Sequence, residues 1–410
     1  MKKAIIFLTC LPLLLAIAEP CRAARLPRVF ILNPGSLLKA KQRIQSGDKQ
    51  LLPALETLKS QADSALNAGP YSVMEKQTPS PTGDKHDYYS LAIYWWPNPD
   101  TANHEPYIRR DGQVNPQIQE FDGGRIAAMA SSVYTLALAY YYTQDERYSE
   151  RCALLLRTWF LNPETCMNPH LRFAQHIPGV VSEGNCSGLI DTVVLSTNVV
   201  DSIGLISSSK NWTKTDQKGI EKWFSDYLNW LLQSKPGKEE AIQPNNHGAW
   251  YDAQIMAFAL LTGRERLAAS ICRKHSTKRI ESQIMPDGSQ LAELMRTKAF
   301  DYSLYSLEAM FNIASMAEKV HVNLWQFKGN KGQSIRTALD YLTPYADSTR
   351  KWPYPQITGF HPESLFPFLR RAAIAYKEPK YEALIEKLPG TSEEHQANRI
   401  NLLYPLSAPN

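Results

Sequence analysis

Pro244-Asn245-Asn246-His247-Gly248-Ala249-Trp250-Tyr251-Asp252 leads without a break into Ile255, Met256, Phe258, Ala259, Leu260 and Leu261. The polar stretch before it, Lys238-Glu239-Glu240-Ala241-Ile242-Gln243, reads as a loop, and the run from His247 to Leu261 reads as an apolar helix. Asn245 or Asn246 suits the N-cap, because a short side-chain acceptor meets the free amides of a first helical turn. His247 then falls in that turn, where the helix dipole disfavours imidazolium and favours the neutral ring. An amide beside a neutral imidazole at a positive helix end is suited to receiving a carboxylate. The plainer alternative makes Asn246 a cap and His247 a crevice filler.

Outward from this stretch the pattern is helix after helix. Ser36–Ile44 and Leu51–Leu66 come first, the second with Leu52, Leu55, Leu58, Ala62 and Leu66 at helical spacing. Arg125–Tyr142 is apolar on most faces, as in a helix buried on both sides. Glu146–Phe160, Asp191–Ser207, Asp216–Gln233, His247–Leu261, Arg264–Ile284, Leu291–Val320, Gly332–Tyr345, Ser364–Ala375 and Tyr381–Leu388 come after it, with 162–190 irregular between them. Strand-like alternation is almost absent. Helices that alternate between apolar all round and amphipathic predict an all-α fold, an incomplete α/α toroid of helical hairpins. No charged linker divides the chain, so residues 24–410 are expected to form a single domain.

Residues 1–23 read as a secretory signal: Lys2-Lys3, an apolar run from Ala4 to Ala18, then small residues before a cleavage point. Pro12 interrupts that run, which is short for a membrane span, and no other segment reads as one. The mature chain is therefore expected to be exported, periplasmic or secreted. Loss of residues 1–23 takes three cations from 45 and one anion from 40, leaving about +3. So small a bias excludes a nucleic-acid argument and is compatible with an acidic substrate. Export places Cys152, Cys166, Cys186 and Cys272 in an oxidising compartment, and Cys166 and Cys186, both in loop-like sequence, are candidates to pair. No Cys-x-x-Cys or His-x-x-x-His pair occurs, so no structural zinc site is expected.

Two further stretches carry chemistry. Tyr94-Trp95-Trp96-Pro97-Asn98-Pro99-Asp100 is an aromatic loop whose prolines forbid regular helix. With Tyr107-Ile108-Arg109-Arg110-Asp111-Gly112 it suggests a wall that stacks sugar rings and offers Arg109 to carboxylates. In the second, Arg296-Thr297-Lys298 precedes Tyr302 and Tyr305, which share a helix face. A cation beside a phenol lowers its pKa, so a proton-transferring tyrosine is expected there. Gln175 and His176 sit in a loop placed to border the same cleft.

Taken together, the aromatic set at 94–100, Asn245-Asn246-His247-Gly248-Ala249-Trp250-Tyr251-Asp252 and Arg296-Thr297-Lys298 leading to Tyr302 resemble the alginate-lyase superfamily of polysaccharide lyases. The resemblance spans roughly 85 to 345. It is nearer the exported bacterial branch called polysaccharide lyase family thirty-eight than the alginate lyases of family five. It implies an α/α toroid that cleaves a uronate-containing polysaccharide by elimination, with no redox cofactor. It further implies that Asn246 and His247 meet the uronate carboxylate and its C5 proton. Against family five the matching phenol is Tyr305, with Lys298 seven residues before it where that family has Arg. In the more widely shared part of the motif it is Tyr302, with Arg296 six residues before. Tyr94, Trp95, Trp96, Trp250, Arg109, Gln175, His176 and Lys298 are the expected substrate contacts.

The residues leave mannuronate, guluronate and glucuronate open. Two rivals stand beside the lyase. A glycoside hydrolase would need two facing carboxyl groups, drawn from Glu239, Glu240, Asp252 and Glu293. A non-catalytic exported sugar-binding protein would need only the tryptophan wall.

Overall fold

The computed structural model describes residues 26–347 and 349–406; the signal reading at 1–23 lies outside them. Helices dominate, and they divide into buried and amphipathic partners. After α1 (Pro34–Gln45) and α2 (Leu52–Ala65), a long loop leads to three short strands, β1 (Tyr89–Leu91), β2 (Trp95–Trp96) and β3 (Ile108–Arg109). Then come α3 (Gly123–Thr143), α4 (Glu146–Leu156), β4 (Phe173–His176), α5 (Val200–Ile206), α6 (Lys214–Gln233), α7 (Lys235–Ala241) and α8 (Asn246–Leu261). The rest is α9 (Glu265–Ile271), α10 (Thr277–Gln283), α11 (Leu291–Leu294), α12 (Ala299–Glu318), α13 (Ile335–Leu342), α14 (Phe366–Tyr376), α15 (Pro379–Ile385), α16 (Ser392–Ala397) and α17 (Ile400–Leu403).

The inner helices are those without a polar face. Apart from His247, every residue of α8 is buried, and α8 lies against α12 on one side and α6 and α9 on the other. Helix α3 is held likewise between α2, α4 and α5. Outer helices show a single apolar stripe, as in α6, which buries Ile220, Trp223, Phe224, Tyr227, Leu228 and Leu231. The result is the expected α/α toroid of hairpins, and one hydrophobic core runs from Val29 to Tyr404.

Three departures from the sequence reading matter for the site. The stretch 238–243 is a loop only in its last two residues, because 238–241 belong to α7: Ser234 caps that helix by accepting from the Gly237 amide, and Pro236 suits its first turn. The α6–α7 junction is so tight that a Cβ on Gly237 would overlap the Leu231 carbonyl. The helix expected over 291–320 breaks at 295–298, because those groups find partners elsewhere. The Thr297 carbonyl accepts from Ile357 N, and the Pro355 carbonyl from Ala299 N. Finally, β1 and β4 pair in parallel with a bulge (Tyr89 opposite Phe173, Leu91 opposite His176), and β2 and β3 form an antiparallel ribbon.

Cys166 and Cys186 do not pair: all four described cysteines are free thiols. The run Cys186–Ile206 is long and apolar enough to cross a membrane by length and composition, contrary to the reading that none is, but most of it is buried inside the protein.

Candidate active site

The first half of the site is built at the start of α8. Asn245 is the N-cap, its side chain accepting from the His247 amide at 3.2 Å. That frees Asn246, which is 1% exposed, for another partner. Its backbone N–H and its Nδ2 donate to the two oxygens of Glu293 at 2.8 and 2.7 Å, leaving its Oδ1 buried and unpaired. His247 Nδ1 lies 2.7 Å from Glu240 Oε1 on α7, and Glu240 is fully buried. Gly248 lets this turn close, since a Cβ there would overlap the Arg279 guanidinium and the Gln243 carbonyl.

The second half is the broken stretch 295–298 and the first turn of α12. Arg296 makes a two-pronged pair with Asp111, Nη2 to Oδ1 at 2.7 Å and Nε to Oδ2 at 3.2 Å. Thr297 adds its Oγ1 to Asp111 at 3.0 Å. Burial alone would raise the Asp111 carboxyl, but Arg296 and Thr297 hold it well below the usual range. Arg296 Nη2 also donates to Tyr302 Oη at 2.8 Å, and Tyr302 donates to Tyr94 Oη at 2.8 Å. The ribbon carrying Trp95 and Trp96 is thereby tied to α12.

Tyr302 does not have the lowered pKa that a nearby cation suggests. Burial pushes the phenol up, the bond and charge of Tyr94 add to this, and Arg296 offsets only part. Desolvation of the anion outweighs one guanidinium. Tyr302 is therefore a neutral phenol with a proton to give.

Glu293 joins the halves. Bonded to Asn246, it also lies within electrostatic reach of Arg296 and His247, and burial raises its carboxyl against those three. Asp191, partly buried, accepts from Tyr88, Ser90 and Gln175 at 3.0, 2.6 and 2.7 Å and senses His247.

The remaining candidates divide. Trp95 and Trp96 are partly exposed, Trp96 Nε1 donating to the Gln113 carbonyl with Arg110 over its ring. Arg109 is exposed and bonded to Asp111. Lys298 sits at the α12 N-cap, partly exposed. Gln175 and His176 form part of the floor and not an open border. Gln175, at a left-handed φ of +52°, is bound to Asp191. His176 stacks on Tyr89 at 4.3 Å with Nδ1 on the Ser90 carbonyl, and burial lowers its pKa. Trp250 is not a substrate contact: at 1% exposure it packs 4.9 Å from the Tyr305 ring, between α8 and α12. Tyr305 lies one turn below Tyr302, facing a cavity of about 610 Å³ shared with Glu308 and Arg371.

Sequence reasoning misses Asp191 as part of the site, and it weighs Glu240 and Glu293 only as candidate hydrolase acids. Glu240 gives one signal, its place seven residues before His247 in a segment short enough to fold back on it. Nothing local marks Asp191.

The family model described as Alginate lyase matches residues 72–352. The crystal structure of an alginate lyase from Bacteroides ovatus superposes with a TM-score of 0.89 at 36% identity, covering 93% of this chain and 100% of that one. Alginate lyase A1-III from Sphingomonas species A1 gives 0.53 at 15% identity, covering 92% and 97%, which speaks for the fold alone. A histidine-to-alanine variant of alginate lyase A1-III, complexed with tetrasaccharide, gives 0.55 at 16% identity over 95% and 99%. Among curated proteins no sequence matches. With a family match over residues 72–352 and a solved relative at 36% identity covering 93% of it, the chain belongs to the alginate lyase family of polysaccharide lyases.

Proposed function

We propose that the chain is an exported lyase that cuts a uronate-containing polysaccharide by β-elimination, with His247 as base and Tyr302 as acid. The observation that carries this reading is the contrast between the two groups. With Nδ1 turned to a carboxylate, a neutral His247 keeps a lone pair on Nε2; Tyr302 is a phenol kept protonated by burial.

The C5 hydrogen of a uronate is hard to remove because its loss adds negative charge next to an existing carboxylate. Arg296 is the group that stabilises this charge, and such a preorganised donor contributes most to a reaction of this kind; Asn246, buried with its backbone N–H and Nδ2 on Glu293, holds that carboxylate in place behind it. His247 Nε2 takes the C5 proton, the C4–O4 bond breaks, and Tyr302 gives its proton to the departing O4. The phenolate left behind already has an N–H from Arg296, and the Tyr94 hydroxyl turns to donate to it. Trp95 and Trp96 supply the wall for flanking sugars.

None of the four carboxyl groups considered for the hydrolase alternative stands free to face another across a cleft. Glu240 is on His247, Glu293 on Asn246, Asp252 in an ion pair with Arg279, and Glu239 on the exposed side of α7 near Lys235. Incubation with polymannuronate, polyguluronate, glucuronan and hyaluronan, with ultraviolet absorbance as the readout, tests the reading. At least one polymer should yield the unsaturated uronate chromophore, and His247→Ala should abolish it. New reducing ends without absorbance would establish hydrolysis, and silence with binding would establish a sugar-binding protein.

A further inference from the structure

We propose that Glu240 is a positioning residue that fixes the tautomer of His247, keeping the proton on Nδ1 and the lone pair on Nε2. The proposal deepens the reading of His247 as base and rests on it.

Glu240 Oε1 lies 2.7 Å from His247 Nδ1, with the two side chains 1% and 17% exposed. A carboxylate only accepts hydrogen bonds, so this contact requires a hydrogen on Nδ1 and leaves Nε2 as the free nitrogen. Among the described residues no Lys or Arg pairs with Glu240; His247 is its partner. The geometry is fixed from both ends. Asn245 holds the His247 amide, while Ser234 and the close approach at Gly237 lock α7 against α6. Such orienting partners set which imidazole nitrogen is available for chemistry.

The other charged and titratable groups around the pair come from each neighbouring element. The Cys186 thiol, from the segment 186–192, lies beside Glu240; burial and the charges of Glu240 and Glu239 push it up to about 11, so it stays protonated. Tyr251 of α8 and Tyr305 of α12 sense Glu240 at longer range. Asp191 and Glu293 sense His247. None of these replaces the contact at Nδ1.

The test combines nitrogen-15 NMR of the imidazole with kinetics. In the wild type, the His247 signals (assigned by their loss in His247→Ala) should show protonated Nδ1 and bare Nε2 above the ring's pKa. Glu240→Gln can donate as well as accept, so the tautomer should become mixed or reverse. Its kcat should fall by ~10²- to 10⁴-fold, as when the orienting carboxylate of a catalytic triad is made an amide. KM should stay within a few-fold. Glu240→Asp should recover part of the rate. Wild-type signals with the proton on Nε2, or a Glu240→Gln enzyme that keeps both tautomer and kcat, would overturn the proposal. The wild-type spectrum decides even if the variant fails to fold. A reversed tautomer in Glu240→Gln alongside an active His247→Ala enzyme would instead uphold the positioning and overturn His247 as base.

Discussion

Arg296 meets Tyr302 twice: its Nη2 donates to the phenol oxygen at 2.8 Å, and its guanidinium carbon lies 3.7 Å from the centre of the same ring. The stacked approach orders the ring, and the hydrogen bond meets the oxygen that changes charge. Neither effect overcomes burial in the resting site, where the phenol stays protonated. The cation therefore acts once the proton has left. Replacing Tyr302 by Phe should reduce kcat by ~10²-fold or more while the protein remains folded and binds polymer, since general acid catalysis contributes that much. Tyr305→Phe should change kcat less than threefold, because its ring packs on Trp250 and its hydroxyl forms no hydrogen bond among the described residues. Steady-state kinetics with a thermal melt for each variant separates the two phenols.

Arg296→Lys is not a conservative change here. A lysine keeps a charge but loses the two-pronged contact with Asp111 and the stacking on Tyr302. The rate should fall ~10-fold or more with little change in melting temperature, measured on the best polymer of the panel.

The pH dependence rests on two signs. Burial raises the Tyr302 pKa, so loss of the acid proton moves to higher pH, and no alkaline limb from this group should appear below about pH 10. Asp111 has a depressed folded pKa. Its stabilising contribution is thus full above its unfolded value near 4 and fades as pH falls below that. Asp111→Asn should flatten the loss of thermal stability below about pH 4, recorded as melting temperature against pH.

Trp250 and Gly248 matter through packing. Trp250→Ala should destabilise by ~3–5 kcal/mol, the usual range for removing a buried aromatic ring. Gly248→Ala should destabilise by ~1–3 kcal/mol and lower activity, as its methyl displaces Arg279 or the Gln243 carbonyl beside His247. Denaturant unfolding measures both. A Trp250→Phe enzyme with raised KM and unchanged stability would argue for direct substrate contact instead.

The legible parts of this molecule are those written in local pattern. The inner helices α3 and α8 announce themselves by lacking a polar face, and Asn246, His247, Arg296 and Tyr302 stand in short motifs whose spacing survives folding. The hidden parts depend on contacts distant in sequence. The break at 295–298 is set by Asp111 and by 355–357, so helical periodicity runs straight through it. Glu240 looks like surface charge beside Glu239 until α7 folds back and only one of the two faces inward. Trp250 looks like a sugar-stacking ring because it follows the Asn245-Asn246-His247 motif, yet its place on α8 turns it toward α12. The cation next to Tyr302 is correctly legible as a neighbour, but its effect is overestimated because sequence carries no measure of burial.

Elimination predicts a specific bond as the one broken at C5, and isotope substitution there tests it most directly. Turnover of polymer deuterated at C5 should be slower than that of unlabelled polymer in single-turnover ultraviolet assays, and His247→Ala should abolish the signal on both. Equal rates on the two polymers, with new reducing ends and no unsaturated product, would contradict elimination at this site.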